Sequence, residues 1–254
     1  MNSECAAVMK QMTDKYWAGY PQHIREAIII RNSFEFELLN SRIPRGSTVC
    51  DVGGGWGAFA CCAAAMGMES ILMDDFGDPG VAHNEDPRHQ LPHEYGVQVI
   101  RRDCVRDGID FPDNSIDAFT SFDVLEHLPA SPKKMLHQMM QALRPGGVLL
   151  IGVPNCVNLR KRLTVPLGKG KWSAMDEWYE KPVFRSHVRE PDLDDLLYIA
   201  RDLKLKNVEV RGANFAGYEN SSPLIRQLTR LIDALLRLRP SLCSSLYLIG
   251  EKSA

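Results

Sequence analysis

The sequence predicts an α/β protein: a doubly wound, mostly parallel sheet with helices on both faces. Three observations predict it. Thr48 to Val52 is a short apolar run carrying Asp51, four glycines fall within the next five residues (Gly53, Gly54, Gly55 and Gly57), and Ala58 to Met66 is rich in Ala and Cys without Gly or Pro. Strand, tight turn, helix is the opening unit of such a sheet, with a ligand expected at the turn. Further short apolar runs recur at Ser70–Met73, Val97–Ile100, Ile116–Phe122 and Val148–Val153, with helix-compatible stretches among them. Finally, 254 residues with 44% apolar content support one large domain, or a domain with a cap, around a sizeable core.

Composition narrows the partners. A net charge of −2 gives no general attraction to nucleic acid or anionic membrane. The seven cysteines (5, 50, 61, 62, 104, 156 and 243) form no C-x-x-C pair and no zinc-spaced cluster with His, so reduced thiols in a cytoplasmic setting are expected, and no metal. The N-terminus lacks the basic-then-apolar pattern of a signal peptide. No apolar run approaches the ~20 residues that span a bilayer.

The turn carries the chemistry. Glycine accepts positive φ without a Cβ clash, and its missing side chain lets backbone N–H groups lie against a ligand. A helix N-terminus favours negative groups. Asp51 points the other way, because a carboxylate before the turn suits a cationic ligand group. The spacing is also not the G-x-G-x-x-G of nicotinamide or flavin binders.

The stretch D-V-G-G-G-W-G-A-F (residues 51–59) resembles the first motif of class I S-adenosylmethionine-dependent methyltransferases. The likeness runs from Ser47 to Asn155, and more loosely beyond. It implies a Rossmann-like fold of seven strands ending in an antiparallel pair, and S-adenosyl-L-methionine as cofactor. It further implies an N-terminal helical cap (1–46) ahead of the methyltransferase domain (47–254), with 156–190 inserted over the acceptor. On this resemblance Asp51, Gly53, Gly54, Gly55, Trp56 and Gly57 cradle the cofactor.

Residues 1–20 are polar with Met and aromatics. Tyr16, Trp17 and Tyr20 either line the acceptor pocket or dock the cap. A helix is expected from Pro21 to about Leu39, stopping before Pro44. An acid at the tip of the second strand can take both ribose hydroxyls, which makes Asp74 the ribose acid and Asp75 its reserve. Phe76 to Pro92 holds three prolines and two glycines, so an irregular loop beside the adenosine is expected. His83, His89 and His93 in and beside it fit no standard metal spacing. Asp103 matches the family acid that accepts the adenine amino group, with the Cys104 N–H next to it addressing the ring.

The fourth strand, Ile116–Phe122, leads into Asp123-Val124-Leu125-Glu126-His127. Ligands bind beyond the carboxyl ends of such strands, so Phe122, Asp123 and His127 should face the transferred methyl. The segment is similar to the V-L-E-H pattern of quinone-ring and sugar O-methyltransferases. His127 and His187 are the candidate general bases because imidazole titrates near neutrality, although in relatives the first of these histidines is often structural. The N/D-P-P-Y/F signature of many DNA and protein-glutamine methyltransferases is absent, so DNA is not an expected partner.

Ser131-Pro132 opens a helix whose Leu136, Met139, Met140 and Leu143 share one face. Arg144 to Gly147 closes it. Val148–Val153 is the buried fifth strand, and Pro154-Asn155 brings it to the active-site edge. In residues 156–190 the basic side chains and interleaved aromatics, among them Trp172, Tyr179, His187 and Arg189, are expected to hold an anionic or ring-bearing acceptor. The other reading is a loop with packed aromatics and solvated lysines. Glu190-Pro191 opens the next helix, with Leu193, Leu196, Leu197 and Ala200 as its core stripe. Asn207–Phe215 and Ser245–Glu251 are the final strands. Between them Pro223–Leu238 is an amphipathic helix, expected to pack intramolecularly, with pairing to a second subunit as an alternative.

The function read from the sequence is methyl transfer to a small molecule, at oxygen. The alternatives are an RNA methyltransferase, or a non-catalytic cofactor-binding regulator or partner subunit.

Overall fold

A computed structural model of the chain describes residues 3–77, 86–170, 173–182, 184 and 186–253. In chain order it contains α1 (Ser3–Tyr16), α2 (Gln22–Asn40), β1 (Thr48–Val52), α3 (Ala58–Ala65), β2 (Glu69–Asp74), α4 (Leu91–Glu94), β3 (Gln98–Arg101) and β4 (Ile116–Phe122). Then follow α5 (Lys133–Ala142), β5 (Leu143–Pro154), α6 (Leu159–Thr164), α7 (Met175–Tyr179), α8 (Leu193–Asp202), β6 (Lys206–Ala213), α9 (Phe215–Tyr218), α10 (Pro223–Arg237) and β7 (Ser245–Glu251).

All seven strands form one sheet in the order β3-β2-β1-β4-β5-β7-β6. The pairs from β3 across to β5 are parallel, while β7 is antiparallel to both β5 and β6. Alternation along each strand divides the core. Val148 and Leu150 of β5 join the layer under α1, α2 and α3, and Leu149, Ile151 and Val153 join the layer under α5 and α8. Because both faces are covered, β5 reads as a continuous apolar run. The small residues Ala60, Cys61, Cys62 and Ala63 let α3 lie close on the sheet. A capping box, Asp192 and Asp195 exchanging backbone hydrogen bonds, starts α8.

The structure departs from expectation in three places. First, α1 was not foreseen in residues 1–20, whose overall polarity hides a stripe at helical spacing. Cys5, Met9, Met12 and Trp17 are buried and share the α2–α3 core layer, so the N-terminal segment is built into the domain's own core. Second, the loop from Phe76 to Pro92 ends in a 3-10 turn (Pro87–Gln90) that runs into α4. His83 lies outside the described residues.

Third, α10 packs against the domain with its polar side. Thr229 and Asp233 are buried, whereas Leu224, Leu231, Leu235 and Leu238 are each at least 68% exposed. The reason is a polar network. Asp233 accepts hydrogen bonds from Asn214 Nδ2 (2.7 Å) and the Tyr218 hydroxyl (3.1 Å), and pairs with Arg237 (2.7 Å). With Leu228, which is 52% exposed, these leucines repeat at alternating spacings of four and three, a narrow seam along one side. Among the described residues no helix is long and apolar enough to cross a membrane.

Candidate active site

The first unit of the sheet forms as its sequence dictates. Gly53 and Gly57 both take a φ of +74°, in the left-handed region, and Gly57 caps α3. A Cβ at Gly54 would run into the Asp51 carboxylate and come within 2.7 Å of Leu72 Cδ1. Glycine is therefore required at 54 by close approach and at 53 and 57 by dihedral. Asp51 is buried beneath the turn and accepts a 2.7 Å hydrogen bond from Thr120 Oγ1 of β4. Burial pushes its carboxyl up to about 7, and the threonine bond offsets only part of that.

Asp74, at the tip of β2, accepts hydrogen bonds from the Gly55 N–H (2.9 Å) and the Phe76 N–H (2.6 Å). A carboxylate offers about four acceptor positions, so these bonds fix its rotamer while tying β2 to the glycine turn. Asp75 is exposed and accepts from the Gly77 N–H at 2.7 Å. Asp103 uses Oδ1 to accept from the N–H groups of Val105 (3.1 Å) and Arg106 (2.9 Å), so one oxygen caps its own turn. The Cys104 thiol is buried, which pushes it up to about 12.

A cleft of about 320 Å³ opens between Gly55, Trp56, Phe76, His89, Val99 and Arg101. Its rim holds an aromatic stack that the sequence did not reveal. Arg88 lies 4.0 Å over the Trp56 ring and donates to the Tyr20 hydroxyl (3.1 Å), while His89 packs on Trp56 with centroids 4.8 Å apart. Tyr20 thus reaches the rim of this cleft. Trp17 is 6% exposed and belongs to the core, and Tyr16 packs partly buried against it, so the two pairings left open for this aromatic trio split between docking and cleft.

The second half of the site follows β4. Phe122 packs edge-on against Phe59, centroids 4.9 Å apart. Asp123 adopts a positive φ (52°) and pairs with Arg31 of α2 at 2.6 Å. Arg31 also donates to Glu35 (2.9 Å), which accepts from the Tyr247 hydroxyl (2.8 Å). This chain, buried at Glu35 and Tyr247 and partly exposed at Asp123, joins α2, β7 and the post-β4 turn. Its signal in the sequence was a charged i,i+4 pair inside an apolar helix.

Glu126 is fully buried, and neither of its carboxylate oxygens accepts a hydrogen bond among the described residues. Burial first, and then the nearby Asp123 charge, push it up to about 8. Its backbone carbonyl accepts from the N–H groups of Val188 (2.7 Å) and Arg189 (3.2 Å), which brings His187 to the turn. The rings of His127 and His187 are perpendicular, with centroids 4.9 Å apart. His187 Nδ1 lies 2.8 Å from Glu190 Oε1, a bond that raises the histidine's pKa. Burial works to raise Glu190, but the hydrogen bonds from His187 and Lys161 win and hold it down at about 2. The two expected bases are therefore neighbours, with Glu126, Lys161 and Glu190 as partners that sequence reasoning missed.

Other expected acceptor residues lie apart. Asn155 is fully buried, and its amide donates to the carbonyls of Ser241 (3.0 Å) and Cys243 (2.8 Å), which makes it an internal anchor rather than a wall of the cleft. Tyr179 is 72% exposed on α7. Arg189 pairs with Asp195 at 2.9 Å and lines, with Lys161, Arg162 and His187, a larger cleft of about 1040 Å³. Trp172 lies outside the described residues.

The methyltransferase-domain family matches residues 22–210. An uncharacterized methyltransferase of Mycobacterium sp. (strain JLS) is 35% identical over 116 residues, 46% of this chain and 42% of the relative, so the chain spans less than half the length of that relative. A ubiquinone/menaquinone biosynthesis C-methyltransferase of Enterobacter sp. (strain 638) is 25% identical over 189 residues, 68% of this chain and 72% of the relative. A Haemonchus contortus phosphoethanolamine N-methyltransferase solved with S-adenosyl-L-methionine shares the fold, with a TM-score of 0.58 at 15% identity over 97% of this chain and 60% of that one.

Proposed function

Because this chain belongs to the methyltransferase-domain family, we propose that it moves a methyl group from S-adenosyl-L-methionine to the oxygen of a small-molecule acceptor. One observation carries the reading. The glycine cradle with a carboxylate beneath it, the tip of β2, and the turn after β4, whose His127 packs on His187, all lie beyond the carboxyl ends of parallel strands of one sheet. A Cβ at Gly54 would run into the Asp51 carboxylate, so the turn lies directly on that acid only without a side chain there, which supports the fit to a cationic ligand.

The cofactor supplies an electrophilic methyl on sulfur. The protein's part is to hold donor and acceptor in line and to manage one proton. On this reading Asp51 sits under the cationic end of the ligand. Asp74, with Asp75 behind it, takes the ribose hydroxyls. Asp103 and the Cys104 N–H address the base across from Trp56, and Phe122 closes the methyl end. As the acceptor oxygen bonds to the methyl carbon, the carbon–sulfur bond breaks and the hydroxyl proton passes to His127 or His187. Glu190 stabilises positive charge on His187. Lys161, Arg162 and Arg189 favour an anionic acceptor. Likeness to the Enterobacter C-methyltransferase supports a second reading, a ring carbon beside a hydroxyl, for which the same base removes the same proton.

Calorimetry with S-adenosylhomocysteine tests the proposal. Wild-type protein is expected to bind, and Asp74→Ala to bind at least tenfold more weakly. No binding by folded wild-type protein would reject the reading.

A further inference from the structure

We propose that Glu126, His127 and His187 form a binding site for a divalent first-row transition-metal ion. One ligand atom from each lies within 4.8 Å of the other two. Glu126 is fully buried, yet both its oxygens lack a hydrogen-bond donor among the described residues. Buried carboxylates are ordinarily hydrogen-bonded, paired or bound to a cation, so this one is short of a partner. Arg31, whose charge is felt at Glu126, does not bond to it and is committed to Asp123 (2.6 Å) and Glu35 (2.9 Å). His127 Nε2 stands 3.9 Å from Glu126 Oε1.

The surroundings are those of a built site. The Glu190 carboxylate engages His187 Nδ1 and is itself gripped by Lys161. With an anion on that side Nδ1 carries the proton, which leaves the Nε2 lone pair as the ligand. Carboxylates behind ligand histidines commonly play this orienting role. The N–H groups of Val188 and Arg189 bond to the Glu126 carbonyl, fastening the His187 segment to the turn that bears the other two donors.

Two imidazoles and one carboxylate suit zinc, manganese, iron or cobalt rather than the all-oxygen sites of magnesium and calcium. Metal bonds of about 2.1 Å place donor atoms roughly 3.5 Å apart, so the side chains close by about an ångström on binding. Three protein donors leave coordination positions open. On the methyl-transfer reading these would take the acceptor's oxygen, and with the ion bound its Lewis acidity, not either histidine, would help the hydroxyl lose its proton; the binding itself does not depend on that reading.

The test is calorimetric titration of the full chain, previously dialysed against chelator, with zinc ions. One ion per chain is expected. Glu126→Gln and His187→Ala should each weaken binding by more than about tenfold, and Glu190→Gln, which would not touch the ion, by about 10- to 100-fold. S-adenosylhomocysteine affinity, measured alongside, should hold in all three. It certifies folding and separates this proposal from the methyl-transfer reading. Absence of zinc binding by wild-type protein would overturn the proposal. So would zinc binding that survives in His187→Ala, which would place the ion elsewhere, for example on a cysteine.

Discussion

Replacing Asp51 by Asn should make the ligand-free protein more stable, by an amount that grows with pH. The asparagine keeps an oxygen to accept the Thr120 hydroxyl and removes a carboxyl that is buried under the glycine turn. That carboxyl moves from 3.8 in the unfolded chain to about 7 in the fold. A raised carboxyl makes its full contribution below pH 3.8, where both states hold the proton. The contribution is lost as pH climbs toward 7, because the unfolded chain can ionise and the folded one cannot. At about 1.4 kcal/mol per pH unit the wild-type handicap is roughly 1.7 kcal/mol at pH 5 and about 4 at pH 8. The advantage of Asp51→Asn over wild type should thus widen by about 2.5 kcal/mol across that interval, or roughly 5–10 °C in Tm for a chain of this size. Thermal and urea unfolding of both proteins at pH 5, 6.5 and 8 measure it. An advantage independent of pH, or a less stable variant at pH 8, would show that Asp51 is already ionised in the fold and refute the reasoning.

Three further outcomes follow from the packing. Gly54→Ala should cost about 1–3 kcal/mol by overpacking against Leu72 and Asp51, and should abolish S-adenosylhomocysteine binding in the fraction that folds. Tyr247→Phe removes the hydroxyl donor of buried Glu35 and should cost about 1–3 kcal/mol in urea unfolding, with the loss concentrated where Glu35 is ionised. On α10, Leu231→Asn should change stability by less than about 0.5 kcal/mol because the leucine is 74% exposed. Asp233→Ala should cost about 2–3 kcal/mol by orphaning Asn214, Tyr218 and Arg237; a larger loss in Leu231→Asn than in Asp233→Ala would mean the helix is turned the other way.

The sheet was legible because its strands obey local rules. Ile116–Phe122 and Ser245–Glu251 coincide with the strands their apolar patterns predict, and the glycine turn announces itself by spacing alone. The helices were read as well as their apolar stripes were visible. α8 was clear; α1 was masked by the polar residues around its stripe, Glu4, Lys10, Gln11, Asp14 and Lys15. α10 is the intramolecularly packed amphipathic helix that was expected, but periodicity does not say which of its two faces the protein buries. At the site, the strand-end acids could be placed by order along the chain. Glu126 could not, since its role depends on being buried without a donor next to a histidine 61 residues later. Nor could Arg31 and Tyr247 be linked through Glu35, because contacts between distant segments leave no local pattern.

β7 is hydrogen-bonded on one side to β5, from Val148↔Glu251 to Pro154↔Ser245, and on the other to β6. On the ribosome this strand emerges after the other six. Until it does, β5 offers a bare edge along its most apolar stretch, and β6 has nothing to pair with. A stop codon before Ser245 would therefore not trim a tail. It would leave β5 as an open edge and β6 cut off from the other strands, a product for proteases and chaperones rather than a shortened enzyme.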